Sequence, residues 1–147
     1  MKQQTIEKRY RSRPNAVVKA ERLTEKVGRK CEIDTGLMQD ICIAVTEAVN
    51  NAVEHGNNLE PGKFVTLRFD CSEQSLTITV GDEGPGFDVG LVADPLSPEN
   101  LTKPNGRGLL IVESLMDEVS IKPSAAGTVV VMVKRLMPDS EHQVKKR

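Results

Sequence analysis

Between Asp34 and Gly56 the apolar residues Leu37, Met38, Ile41, Cys42, Val45, Ala48, Val49, Ala52 and Val53 recur at helical spacing, giving one continuous stripe. Asp34 suits the N-cap of such a helix and Gly56 its end. A stripe this long must be buried against a second layer, and the remaining sequence offers strands for it. KFVTLRFD alternates Val65, Leu67 and Phe69 with polar neighbours, and LTITV alternates Leu76, Ile78 and Val80, so the two read as an antiparallel hairpin. QTIEKRYRS suits a first strand, and Pro14 opens a helix predicted over about 14–30. GLLIVESLM predicts a third helix, followed by a short strand around Val119 and Ile121. TVVVMVK, an unbroken β-branched run, predicts a strand that is central in the sheet or buried on both faces.

The order β-α-α-β-β-loop-α-β-β lacks the βαβ alternation of a doubly wound sheet. It predicts an α+β fold, a two-layer α/β sandwich with helices packed on one face of a mainly antiparallel mixed sheet. With 147 residues the chain fits a single domain, here drawn as 1–137, with a flexible polar tail at 138–147.

Charge narrows the partners. Lys and Arg number 20 against 21 Asp and Glu, so a net charge of -1 gives no global pull toward nucleic acid or anionic membrane. Aromatics at 3% leave few stacking platforms for single strands, which argues against direct nucleic-acid binding. No run approaches a membrane span, and the first residues lack an apolar signal core, so the expected location is cytoplasmic. Cys31, Cys42 and Cys71 have neither zinc spacing nor an even count, and read as reduced structural residues, with Cys42 in the core.

From Asp82 to Arg107 periodicity disappears under Gly84, Gly86, Gly90, Gly106, Pro85, Pro95, Pro98 and Pro104. A segment of this length and composition is a lid, a binding loop or disorder. Three groups of residues around it could carry chemistry. Glu47 and Asn51 lie one turn apart on the polar side of the second helix, projecting a carboxylate and an amide together, although any amphipathic helix has a solvated polar face. Asp82-Glu83-Gly84-Pro85-Gly86 follows an apolar strand, where an aspartate can accept from an amino group and the glycines admit a flat ligand; an ordinary turn has the same composition. Gly106-Arg107-Gly108 runs into the third helix, whose first amides could meet phosphate oxygens. It matches neither the P-loop nor the dinucleotide fingerprint.

Taken in order, ExxxN on a helix, DxGxG after a hairpin, a long loop, GxG at a helix start and a closing Gly127-Thr128 strand resemble the GHKL ATP-binding domain, the Bergerat fold. Within that superfamily the short chain is most similar to bacterial anti-sigma factor serine/threonine-protein kinases, over about residues 5–135. The N-box falls on Glu47 to Asn57 and the glycine boxes on Asp82 to Gly86 and Gly106 to Gly108.

The resemblance implies ATP and Mg2+ as cofactors. Asn51 would be the Mg ligand and an ATP-binding residue, and Glu47 the catalytic base for the attacking hydroxyl. Asp82 would accept from the adenine amino group, supported by Thr128. Gly84 and Gly86 would line the base and ribose, and Gly106 and Gly108 would offer amides to the phosphates. Residues of about 88–105 would close as an ATP lid. Where some of these kinases carry an arginine before the second glycine box, Lys103, Pro104 and Asn105 stand here, so Lys103 or Arg107 would supply charge to the phosphates. His55, inside the N-box, reads as structural or capping rather than as a phosphoacceptor.

The implied function is an anti-sigma factor with ATP-dependent serine kinase activity in transcription regulation. Its implied partners are a sigma factor, an anti-sigma factor antagonist carrying the phosphoacceptor serine, and a second copy in a homodimer. The alternative is a non-catalytic ATP-binding regulator whose nucleotide tunes partner binding.

Overall fold

A computed structural model describes residues 3–84, 104–124 and 126–136. Strand β1 (Gln4–Arg11) leads into helices α1 (Asn15–Lys30) and α2 (Thr35–Asn51), and a π-helical turn (Ala52–Gly56) extends α2. Strands β2 (Phe64–Cys71) and β3 (Ser75–Gly81) form the hairpin, and helix α3 (Pro104–Leu115) precedes β4 (Glu118–Ser124) and β5 (Gly127–Arg135). The sheet runs β1-β2-β3-β5-β4. All four pairings are antiparallel, so the parallel component expected of a mixed sheet is absent among the described strands.

Alternation in the strands aims one face of the sheet at the helices. Val65, Leu67, Phe69 and Cys71 of β2 and Leu76, Ile78 and Val80 of β3 are buried, and Ile41, Ala44, Val45, Ala48 and Val49 of α2 meet them. Fully burying a side chain of the size of Phe69 or Ile41 is worth about 1.5–3 kcal/mol, so this seam holds the two layers together. Asp34 caps α2 as expected, accepting from the Gly36 and Leu37 amides at 3.0 and 3.4 Å. Cys31 and Cys71 are buried, whereas Cys42 is half-buried in the groove between α1 and α2 rather than in the core.

One sequence expectation is narrowed here and one is corrected. β5 is central in the sheet but is not buried on both faces: Val130 and Met132 point inward, while Val129 is exposed. Lys134 points inward with them, its Nζ donating to the Leu115 carbonyl at 2.5 Å and lying 3.5 Å from Asp40 of α2. The third helix also begins earlier than GLLIVESLM, at Pro104, where proline's missing N–H costs nothing. Pro104 and Asn105 of the expected lid therefore belong to α3; residues 88–103 and the tail from 138 lie outside the described residues.

α2 and α3 run antiparallel. Gly108, early in α3, lies against Glu47 and Asn51 near the end of α2, and Leu115, at the far end of α3, meets Asp40 through Lys134. This pairing brings the second glycine box onto the N-box.

Candidate functional site

The polar side of α2 converges on α3 at one glycine. A Cβ built on Gly108 would stand 3.1 Å from Glu47 Oε2, 3.2 Å from Asn51 Nδ2 and 3.4 Å from Asn51 Oδ1. Glycine at this position leaves the carboxylate and the amide room to lie side by side against the helix. Asn51 is the last α-helical residue before the π-helical turn. The wider turn begins at the place where the two side chains must share a surface, and such turns recur at functional sites. Asn50, beside it, is half-buried.

A second cluster forms at the other end of the N-box. Asp82 follows β3, and its backbone N–H donates to the Thr128 carbonyl at 3.0 Å. Asp82 Oδ1 accepts from the Thr128 N–H at 3.1 Å and from the Gly84 N–H at 3.0 Å. Thr128 thus meets Asp82 through its backbone rather than its hydroxyl. Asp82 Oδ2 faces Gly56, where any side chain would collide with the carboxylate, and Gly84 packs on the Gly56 carbonyl. Gly127 has φ +142°, a conformation suited to glycine, and presses on the Asp82 carbonyl.

Desolvation pushes the Asp82 carboxyl above the ordinary aspartate range, opposed by the Gly84 and Thr128 amides and by the charge of Lys63. A half-buried carboxylate with one oxygen committed to amides and the other turned to a glycine surface is equipped to accept from a flat amino-bearing ligand.

Gly106 and Arg107 fall in the first turn of α3, where backbone amides lack intrahelical partners. Gly108 follows directly, at the start of the second turn. Gly86 and Lys103 lie outside the described residues. His55 is exposed on the π-helical turn, its Nε2 4.0 Å from Glu54. Among the described residues no group of three or more His, Cys, Asp or Glu side chains could by itself hold a metal ion. No described helix is long and apolar enough to cross a membrane.

Two residues escaped the sequence reading. Asn57, buried with 0% exposure, donates to Ser12 Oγ and to the Phe64 carbonyl at 3.0 Å, and accepts from the Glu83 N–H at 2.8 Å. Glu83 accepts from the Phe64 N–H at 2.7 Å. An asparagine straight after a helix-ending glycine was the available signal for the first, but that composition reads as loop.

The model of the histidine kinase-like ATPase domain matches residues 10–134. Among curated relatives, the chain is 38% identical over 106 residues to the serine-protein kinase RsbW of Bacillus velezensis, covering 67% of this chain and 65% of that one. It is 36% identical over 106 residues to RsbW of Bacillus subtilis, with the same coverage. The chain spans just under two thirds of the length of these relatives. Among solved structures, the RsbU and RsbW domains of Rv1364c from Mycobacterium tuberculosis match with a TM-score of 0.69 at 21% identity, over 90% of this chain and 32% of that one. That likeness is one of fold.

Proposed function

The chain belongs to the histidine kinase-like ATPase family, and on that premise we propose that it binds Mg-ATP across the N-box and transfers the γ-phosphate to a serine of a partner protein. The partner is an anti-sigma factor antagonist, and the kinase also holds a sigma factor, working as a homodimer in the cytoplasm. The serine-protein kinases named RsbW support the choice of acceptor.

One observation carries the reading: Glu47 and Asn51 converge on Gly108. Phosphoryl transfer needs a group to orient or deprotonate the attacking hydroxyl, and oxygen ligands for the cation that bridges the phosphates. The donor set fits. Asn51 Oδ1 would serve as a hard oxygen ligand for the cation, and Glu47 Oε2, beside it, would serve as the base. When bound, Mg-ATP supplies the transferable phosphoryl group and neutralises its charge. Asp82 Oδ2 would accept from the adenine amino group, with Thr128, Gly84 and Gly86 as the residues that would line the base. Gly106 and Gly108 would offer backbone amides to the phosphates, and Lys103 or Arg107 would add positive charge there.

The test is incubation with Mg-ATP and candidate antagonist proteins from the same organism, followed by phosphoserine detection. Phosphoserine on one antagonist, absent with Glu47→Ala, is the expected result. ATP binding without phosphoserine on any antagonist would overturn the kinase assignment and leave a nucleotide-tuned regulator.

A further inference from the structure

Asn57 does more than end the N-box. Its side chain is completely buried, and all of its donors and its acceptor are engaged. A buried amide is costly unless its partners are fixed, and these partners come from three separate places in the chain. The amide nitrogen holds Ser12, between β1 and α1, and the Phe64 carbonyl that starts β2. The amide oxygen holds the backbone N–H of Glu83, the residue after Asp82.

Phe64 is gripped from both sides, since its own N–H goes to Glu83 Oε1. The Asp82-Glu83-Gly84 turn is therefore tied to Asn57 on one side and to Thr128 on the other. The backbone of Asn57 is equally committed: its N–H donates to the Ala52 carbonyl at 2.8 Å, closing the π-helical turn, and its carbonyl accepts from Glu60 at 3.0 Å. Gly56, the preceding residue, is the surface against which Asp82 Oδ2 rests.

We infer that Asn57 is a positioning residue for nucleotide recognition: it fixes the distance between the end of the N-box and the turn bearing Asp82, and so governs affinity for the base rather than for the phosphates. The inference rests on the proposed ATP site. It also assigns the two ends of that site to different contacts: Glu47, Asn51 and Gly108 lie together where α2 meets α3, whereas the Asn57 side chain reaches the turn bearing Asp82.

The experiment measures Mg-dependent binding of mant-ATP, mant-GTP and inorganic tripolyphosphate to the whole chain and to Asn57→Ala. The expected result is an ATP affinity about tenfold or more weaker, a narrowed preference for ATP over GTP, and tripolyphosphate binding within about twofold of wild type. Unchanged ATP affinity, or equal loss of ATP and tripolyphosphate, overturns the inference and reduces Asn57 to a general stabiliser. If Asn57→Ala does not fold, Ser12→Ala replaces it. Loss of one anchor should then weaken ATP by about two- to fivefold with tripolyphosphate unaffected, and ATP binding equal to wild type overturns the inference. A wild-type chain that binds no ATP fails at the earlier step, sinking the proposed function together with this role.

Discussion

Gly108 and Glu47 lie so close that a methyl group on Gly108 would stand 3.1 Å from the Glu47 carboxylate oxygen Oε2. That is tighter than ordinary van der Waals contact, and Asn51 closes the other side at 3.2 Å, so a side chain there must displace one of them. Gly108→Ala sets two effects against each other. In a helix interior alanine is favoured over glycine by roughly 1 kcal/mol. The displaced carboxylate, in contrast, loses its alignment. The expected outcome is a melting temperature equal to or above wild type with phosphoryl transfer reduced about tenfold or more. Calorimetry and a phosphoserine assay on the same preparation check it; a variant that keeps full transfer would show that this contact has no part in the chemistry.

Glu47 and Asn51 should separate on mutation although they share one surface. Glu47→Ala removes the proposed base and is expected to lower transfer by about 10²–10⁴ while leaving the ATP dissociation constant near wild type. Asn51→Ala removes the proposed cation ligand and is expected to weaken Mg-ATP binding itself. Isothermal titration beside single-turnover transfer distinguishes the two, and equal effects of both variants on binding would contradict the division of roles.

The fold was largely legible because its elements announce themselves through periodicity. The stripe of α2, the alternation of β2 and β3 and the Asp34 cap all depend on local spacing, and each appears where spacing put it. What spacing left open depends on contacts distant in the chain. TVVVMVK suits either a central strand or one buried on both faces because Val129, Val131 and Val133 are apolar, and only packing decides between them, since it sets which side of the sheet a helix covers. The Glu47–Asn51 pair was legible from its i, i+4 spacing. The Asn57 and Glu83 bonds were not, because each joins residues at least 7 positions apart through a loop of unremarkable composition.

Lys134 is a lysine among inward-facing apolar residues, and its partners explain it. Its Nζ satisfies the Leu115 carbonyl at the end of α3 and pairs with Asp40. Lys134→Met keeps the apolar stem but abandons the part-buried carbonyl, and an unsatisfied acceptor costs about 1–3 kcal/mol when fully buried and less when water can reach it. Asp40 is 42% exposed and can rehydrate, which holds the loss toward the lower end of that range. Urea denaturation should report the loss with an unchanged m-value; stability equal to wild type would mean that the α3 end is capped by other means.

Asp82 should exchange stability for ligand recognition. Burial raises its folded-state pKa above the ordinary value, so at neutral pH the folded chain carries a carboxylate it would rather see protonated. The sign follows: this penalty is fully present above the folded pKa and is relieved as pH falls through it. Asp82→Asn removes the charge while retaining an oxygen for the Gly84 and Thr128 amides. The ligand-free variant is therefore expected to melt above wild type at pH 7, with the difference shrinking on acidification toward the carboxylate range. With Mg-ATP the order reverses. Ligand at a hundred times its dissociation constant stabilises wild type by about 2.7 kcal/mol, and the variant, which at the proposed base contact would present an amide N–H to the adenine amino group, should gain almost none of it. Paired melting curves at several pH values, with and without Mg-ATP, check both halves; a variant that is less stable than wild type at pH 7 without ligand would contradict the desolvation account of this carboxylate.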